Sequence, residues 1–145
     1  MNLDLANSLI EAGLQEAKKM ELRTSIAVMD SATHLVSFIR MDDSLLASLD
    51  ISMKKAKTAV LFNAPSSVIG QLSQPGGIVY GVEQTNGGLV LFGGGFPIHN
   101  KNGRLIGGIG VSGGSVTQDE QVAEAAMNAT KCPVSRNLEE NMLKF

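Results

Sequence analysis

The sequence predicts an α+β domain in which an antiparallel sheet of about five strands is flanked by helices. Three observations predict it. Apolar, β-branched runs occur in two pairs, each joined by a short turn, which forces antiparallel hairpins. Helical periodicity occupies both ends and the middle of the chain. The resulting order, α-β-β-α-(α)-β-β-β-α, sets helices between hairpins rather than after every strand, unlike a doubly wound sheet.

Asn2 or Asp4 caps a first helix running to about Met20, with Leu5, Leu9, Ala17 and Met20 on its apolar stripe. Gly13 interrupts that helix and implies close packing against a neighbour. TSIAVMD (24–30) and HLVSFIR (34–40) are strands joined by Ser31-Ala32-Thr33. A second helix lies within 41–62, and Leu49, Met53, Ala56 and Val60 define its buried stripe, with Lys54, Lys55 and Lys57 largely outside it. Asn63-Ala64-Pro65 ends it, because the residue before a proline avoids helical geometry. A short helix, SSVIGQL (66–72), follows.

GLVLF (88–92) reads as a strand. FPIH (96–99) and RLIGGIGV (104–111) form the second hairpin, with Asn102-Gly103 suited to positive φ in its turn. The last helix starts at Thr117, where Thr117-x-x-Glu120 is a capping-box pattern, and Pro133 stops it. The whole chain, 1–145, reads as one domain with a core of about 1–130 and a tail of 131–145. The amphipathic end of that tail is expected to dock on the body or on another subunit.

At 145 residues the chain can bury about two-thirds of its surface without staples. Its net charge of −2 and lack of any Lys/Arg run argue against nucleic acid. No apolar run reaches membrane-spanning length. The one cysteine, Cys132, excludes an internal disulfide and zinc-cluster spacing, and no secretory signal is legible, so the expected compartment is the cytoplasm.

Glycine is the unusual feature, with 16 residues concentrated between Gly70 and Gly114. Gly108-x-Gly110-x-x-Gly113 has dinucleotide-fingerprint spacing, yet its strand closes a hairpin and no parallel strand can return after the helix. Glycines 107, 108 and 110 are therefore expected to let another backbone or a flat ligand approach closely.

SIAVMDSATHLVSFIRMDD, ISMKKAKTAVLF, QPGGIVYGVEQTNGG, LVLFGGGFPI and GGIGVSGGSVTQDEQVAEAA together resemble the GlcG/HbpS family of haem-degrading-type domains over nearly the whole chain. That family is similar to the C-terminal domain of some corrinoid adenosyltransferases. The resemblance implies a profilin/roadblock-like sheet, a homo-oligomer built on dimers, and non-covalent binding of haem or a corrinoid. It also admits an accessory protein or enzyme of diol, glycerol or glycolate use, or a purely structural oligomer. Where the family usually carries Gly-Gly before the hairpin histidine, this chain has Ala32-Thr33, so the turn there should differ.

Candidate ligand residues follow from side-chain chemistry. His34, on the first hairpin, is an exposed turn residue or an axial metal ligand. His99 reads as a solvated turn residue. Tyr80, the only tyrosine, covers a planar macrocycle or simply exposes its hydroxyl. Lys54 and Lys57 pair with ligand carboxylates or stay solvated. Arg40 contacts a ligand or pairs with Asp42. Asn86, Gly87, Gly94, Gly95 and Pro97 belong to glycine loops whose amides a ligand can approach, together with the loop at Pro75–Gly77. No catalytic constellation emerges: there is no ordered Ser-His-Asp set, no paired carboxylates and no H-E-x-x-H.

Overall fold

A computed structural model describes residues 1–134 and 145; the predicted docking of the tail falls on residues outside these. The elements in chain order are α1 (Leu3–Lys19), β1 (Ser25–Asp30), β2 (Leu35–Arg40), α2 (Ser48–Phe62), α3 (Ser66–Leu72), a 3-10 turn at Val82–Gln84, β3 (Gly95–His99), β4 (Leu105–Ser112) and α4 (Val116–Ala129). The sheet has the order β2-β1-β4-β3 and every pairing is antiparallel. An α+β fold is thus observed, with four strands among the described residues.

The expected strand at 88–92 does not form. Its backbone groups are taken by other elements: Leu89 N donates to Glu83 O at 2.9 Å, Val90 N to Thr58 Oγ1 at 3.3 Å, and Phe92 O accepts from Ser66 Oγ at 2.9 Å. A segment satisfied by α2 and α3 has no ladder left to offer.

The sheet has two unlike faces, set by the two-residue period of its strands. One face carries Ile26, Val28, Phe96, Ile98, Ile109 and Val111, all fully buried. α1 and α4 cover it with Leu9, Ala6, Val122, Ala126 and Met127 to make the main core. Gly13 sits at this contact, where an added methyl would stand 2.9 Å from Ile26 Cδ1. The opposite face carries Ala27, Gly95, Pro97, Gly108 and Gly110, and the register sets Gly110 between Ala27 and Gly95.

α2 lies on this small face. A methyl on Gly110 would collide with Ser52 O and stand 2.6 Å from Ala56 N; one on Gly108 would stand 2.7 Å from Val60 Cγ2. Two glycines of GGIGVSGG, Gly108 and Gly110, therefore face α2, while Gly107 meets Met29 O, Gly113 meets Arg23 O and Gly114 meets Gln118. The helix answers with small side chains, Ser48, Ser52, Ala56 and Ala59, all fully buried. The expected stripe of α2 holds at Ala56 and Val60, both buried, but not at Leu49, which is 37% exposed, while Lys55, expected outside it, is fully buried. Contact with glycines selects the smallest residues on the helix rather than the largest.

The caps are local. Asn2 Oδ1 accepts from Leu5 N at 2.9 Å at the start of α1. At α4 the cap is Ser115, not Thr117: Gln118 N donates to Ser115 Oγ, and Ser115 N donates to Gln118 Oε1.

Gly110→Ala should cost about 3 kcal/mol or more, a melting temperature lower by roughly 10 °C, because a helix backbone must move. Gly103→Ala, in the second hairpin turn with φ +77 and nothing within 4 Å of an added methyl, should lose only about 1 kcal/mol. Thermal unfolding of the two variants checks the contrast.

Candidate functional site

Three lysines of α2 meet the segment that replaces the missing strand. At its start, Asn86, Gly87 and Gly88 take φ of 53°, 74° and 98°, a run that glycine allows and asparagine tolerates. Lys57 Nζ donates to Asn86 O. Lys54 Nζ stands 3.6 Å from where a side chain on Gly88 would begin, and pairs with Asp50 at 3.1 Å. Farther along, Phe92 lies over Lys55, with the ammonium 5.2 Å from the ring centroid. The structure thus brings Lys54, Lys57, Asn86 and Gly87 together.

Lys55 is the residue that sequence reasoning missed as a site feature. It is fully buried and donates to Val111 O at 2.7 Å and to Asp119 Oδ2 at 2.9 Å. Asp119, on α4, also accepts from Gly114 N at 2.9 Å. Burial pulls the Lys55 amine down from its ordinary value and pushes the Asp119 carboxyl up, and their mutual attraction opposes both shifts. Gly94, with φ +120, makes room: a methyl there would stand 2.6 Å from Val111 O and 2.9 Å from Lys55 Nζ. The three donors of the ammonium thus meet a carbonyl, a carboxylate and an aromatic face. Only a signal that Lys55 sits on the sheet-facing side of α2 could have revealed the pair.

Gly94, Gly95 and Pro97 are buried, with Gly95 pressed on the backbone of Lys55. Pro97 lies on the small face of edge strand β3, where a missing amide donor is tolerated. Tyr80 is 68% exposed in the turn before the 3-10 segment.

Arg40 ends the other edge strand, β2, at the sheet end shared with Ser25 and Ser112. The expected Arg40–Asp42 pair does not form; Arg23 and Asp43 pair here at 3.8 Å, both well exposed. Arg40 instead lines a groove of about 570 Å3 at the α1–β2 corner, with Lys18, Arg23, Glu21 and Asp42 balancing charge around it.

His34 stands at the opposite end of the sheet, in the β1–β2 turn, with its side chain 81% exposed and Nδ1 3.7 Å from Asp30. The turn does differ from a glycine pair: Thr33 itself takes φ +66, a strained value for a β-branched residue. Asp30 Oδ1 holds it by accepting from His34 N and Ala32 N at 2.9 Å each. Those amides, that of His34 foremost, hold the Asp30 carboxyl below its ordinary value. His99 Nε2 lies 2.7 Å from Asn63 Oδ1 at the end of α2. Among the described residues no group of three or more His, Cys, Asp or Glu side chains gathers as a metal cage.

A second groove, of about 340 Å3, opens between α3 and the end of the 86–93 segment. Leu91, Phe92 and Val116 give it apolar walls, and Gln71 and Gln74 a polar rim. Phe92 links it to the buried pair, because its ring also lies over Lys55.

Removing one partner of that pair strands the other. Lys55→Met and Asp119→Leu should each lose about 3–5 kcal/mol. The double variant should lose less than either single one, though not recover fully, because Val111 O and Gly114 N stay orphaned at about 1–3 kcal/mol each. Denaturant unfolding of the three variants checks this; additive losses would contradict it.

With this geometry in hand, comparison with known proteins is informative. A family model described as haem degrading protein HbpS-like matches residues 1–128. The chain is 40% identical over 116 residues to an uncharacterised 15.0 kDa protein from the dhaT-dhaS intergenic region of Citrobacter freundii, covering 78% of this chain and 81% of that one. It is 37% identical over 125 residues to the corrinoid adenosyltransferase PduO of Salmonella typhimurium, covering 85% of this chain but only 37% of that protein. Among solved structures, a PduOC:heme complex superposes with a TM-score of 0.88 at 32% identity, over 94% of this chain and 99% of that one. The chain belongs to the HbpS-like family.

Proposed function

We propose that the protein is an oligomeric small-molecule-binding protein that takes a haem-like or corrinoid tetrapyrrole without a covalent link. The observation that carries this reading is the gathering of Lys54, Lys57, Asn86 and Gly87 at the start of the segment whose later residues, Leu91 and Phe92, wall the smaller groove. Cations beside an apolar slot suit a flat ligand that ends in carboxylates. The neighbouring haem complex and the adenosyltransferase relative support a tetrapyrrole over other flat acids.

In this reading Lys54 and Lys57 release their present partners, Asp50 and Asn86 O, to meet propionates. Tyr80 is proposed to close over the ligand from its exposed turn. Asn86 and Gly87 offer amides at the loop, while Gly94, Gly95 and Pro97 shape it from below. His34 is proposed as an iron ligand, and Arg40 as a further carboxylate partner. His34 leads into edge strand β2 and the lysine loop into the opposite edge strand, β3, so His34 is proposed to join that site from a second copy. Leu45 and Leu46, 66% and 80% exposed just ahead of α2, supply apolar surface for such self-association. A buried lone thiol, Cys132, suits the reducing cytoplasm, where we place the protein.

Titration with haemin tests the reading. A saturable Soret change is expected at micromolar haemin, and Lys54→Glu/Lys57→Glu should weaken it about tenfold, the loss of one or two charge-assisted contacts. No saturable change in the intact chain would overturn the reading. Loss of the axial spectrum in His34→Ala would identify the iron ligand, and an unchanged spectrum would exclude it.

A further inference from the structure

We infer that Phe92 is the stacking surface of this ligand site and that the buried Lys55, held by Asp119, acts through it as a positioning residue; the inference rests on the ligand-binding reading above. Phe92 is a large apolar side chain left 48% exposed, and it forms a wall of the 340 Å3 groove. The fold holds its backbone tightly all the same: Ser66 Oγ donates to Phe92 O at 2.9 Å and accepts from Gly95 N at 3.0 Å. Beside it Gly93 carries no side chain, and the carboxylate arm of Glu120 packs against that bare position.

The inner face of the ring is occupied by the Lys55 ammonium, 5.2 Å from the centroid. That ammonium cannot drift, because Val111 O and Asp119 hold it from the other side at 2.7 and 2.9 Å. A cation on one face draws π density toward itself and leaves the outer face poorer. The outer face then favours a flat, electron-rich partner, the chemistry of a conjugated tetrapyrrole rather than of a simple aliphatic acid. A groove of this size takes one edge of such a ring and leaves the remainder outside it. The lysine itself stays fully buried and touches no ligand; it fixes the orientation and electronics of the ring that does.

Haemin titrations of the intact chain, Phe92→Leu, Phe92→Tyr, Lys55→Met and the Phe92→Leu/Lys55→Met double variant test this. Phe92→Leu should bind about tenfold more weakly with a melting temperature lower by only about 2–5 °C, the loss of the cation–π contact, and Phe92→Tyr should stay within about twofold of the parent. Lys55→Met should weaken binding on its own yet add little to Phe92→Leu, since it acts through the ring. If Lys55→Met does not fold, Asp119→Asn, which keeps the lysine but loosens its hold, replaces it in the cycle. Unchanged affinity in Phe92→Leu overturns the stacking role, and additive losses overturn the role of Lys55, while in both cases the ligand-binding reading survives. No saturable binding by the intact chain overturns that reading and this inference together.

Discussion

The close approach of α2 to the bare face of the sheet is the constraint on which the rest of this fold depends. Gly108 and Gly110 of β4 and Gly95 of β3 leave no side chains between strand and helix, so the backbone at Ser52, Lys55 and Ala56 rests almost directly on them. That arrangement divides the work of the sheet. Its large face builds an ordinary apolar core under α1 and α4, while its small face holds a helix near enough to reach through the layer. An ordinary helix–sheet distance would leave room for side chains on both elements, and Lys55 would then fall short of Val111 O and Asp119.

The buried ion pair follows from that proximity, and on its own it is an expensive feature. Desolvating two charges costs several kcal/mol each, and an apolar pair of the same volume often does as well or better. Here the pair does what an apolar pair cannot. It joins α2, the end of β4 and the first turn of α4 in one polar contact, and it presents a cation to the underside of Phe92. The 86–93 segment needs such anchors because it has no strand ladder of its own; Thr58, Ser66 and Lys57 hold it from three further points.

Much of the fold was legible in the sequence because the signals were local. Hairpin turns, the Asn2 cap and the Pro65 and Pro133 stops each act over a few residues. The fifth strand was not legible: GLVLF has strand composition, yet whether it pairs depends on Thr58 and Ser66, side chains distant in sequence. The stripe of α2 misled for a related reason. Periodicity found Ala56 and Val60 but assumes that the largest apolar residues face inward, whereas a glycine surface admits Ser48 and Ser52 and turns Leu49 outward. The glycine cluster signalled close approach without naming what approaches. For the site, the sequence offered Lys54 and Lys57 apart from Asn86, and only the fold brings the three together. Lys55 was invisible, since three lysines in a row of four read as a solvated face until one of them finds a buried carboxylate 64 residues away.

The proposed ligand binding is thereby tied to the segment that glycines and lysines hold against α2, which leads into edge strand β3, whereas the His34 turn leads into the opposite edge strand, β2. Amide hydrogen exchange of the intact chain with and without haemin tests this most directly, because it maps where protection is gained along the backbone. Added protection over 70–77 and 86–93, around α3, the lysine loop and Phe92, is the predicted result. Protection confined to the β1–β2 turn at 31–35, or to the α1–β2 corner around Arg40, would contradict it.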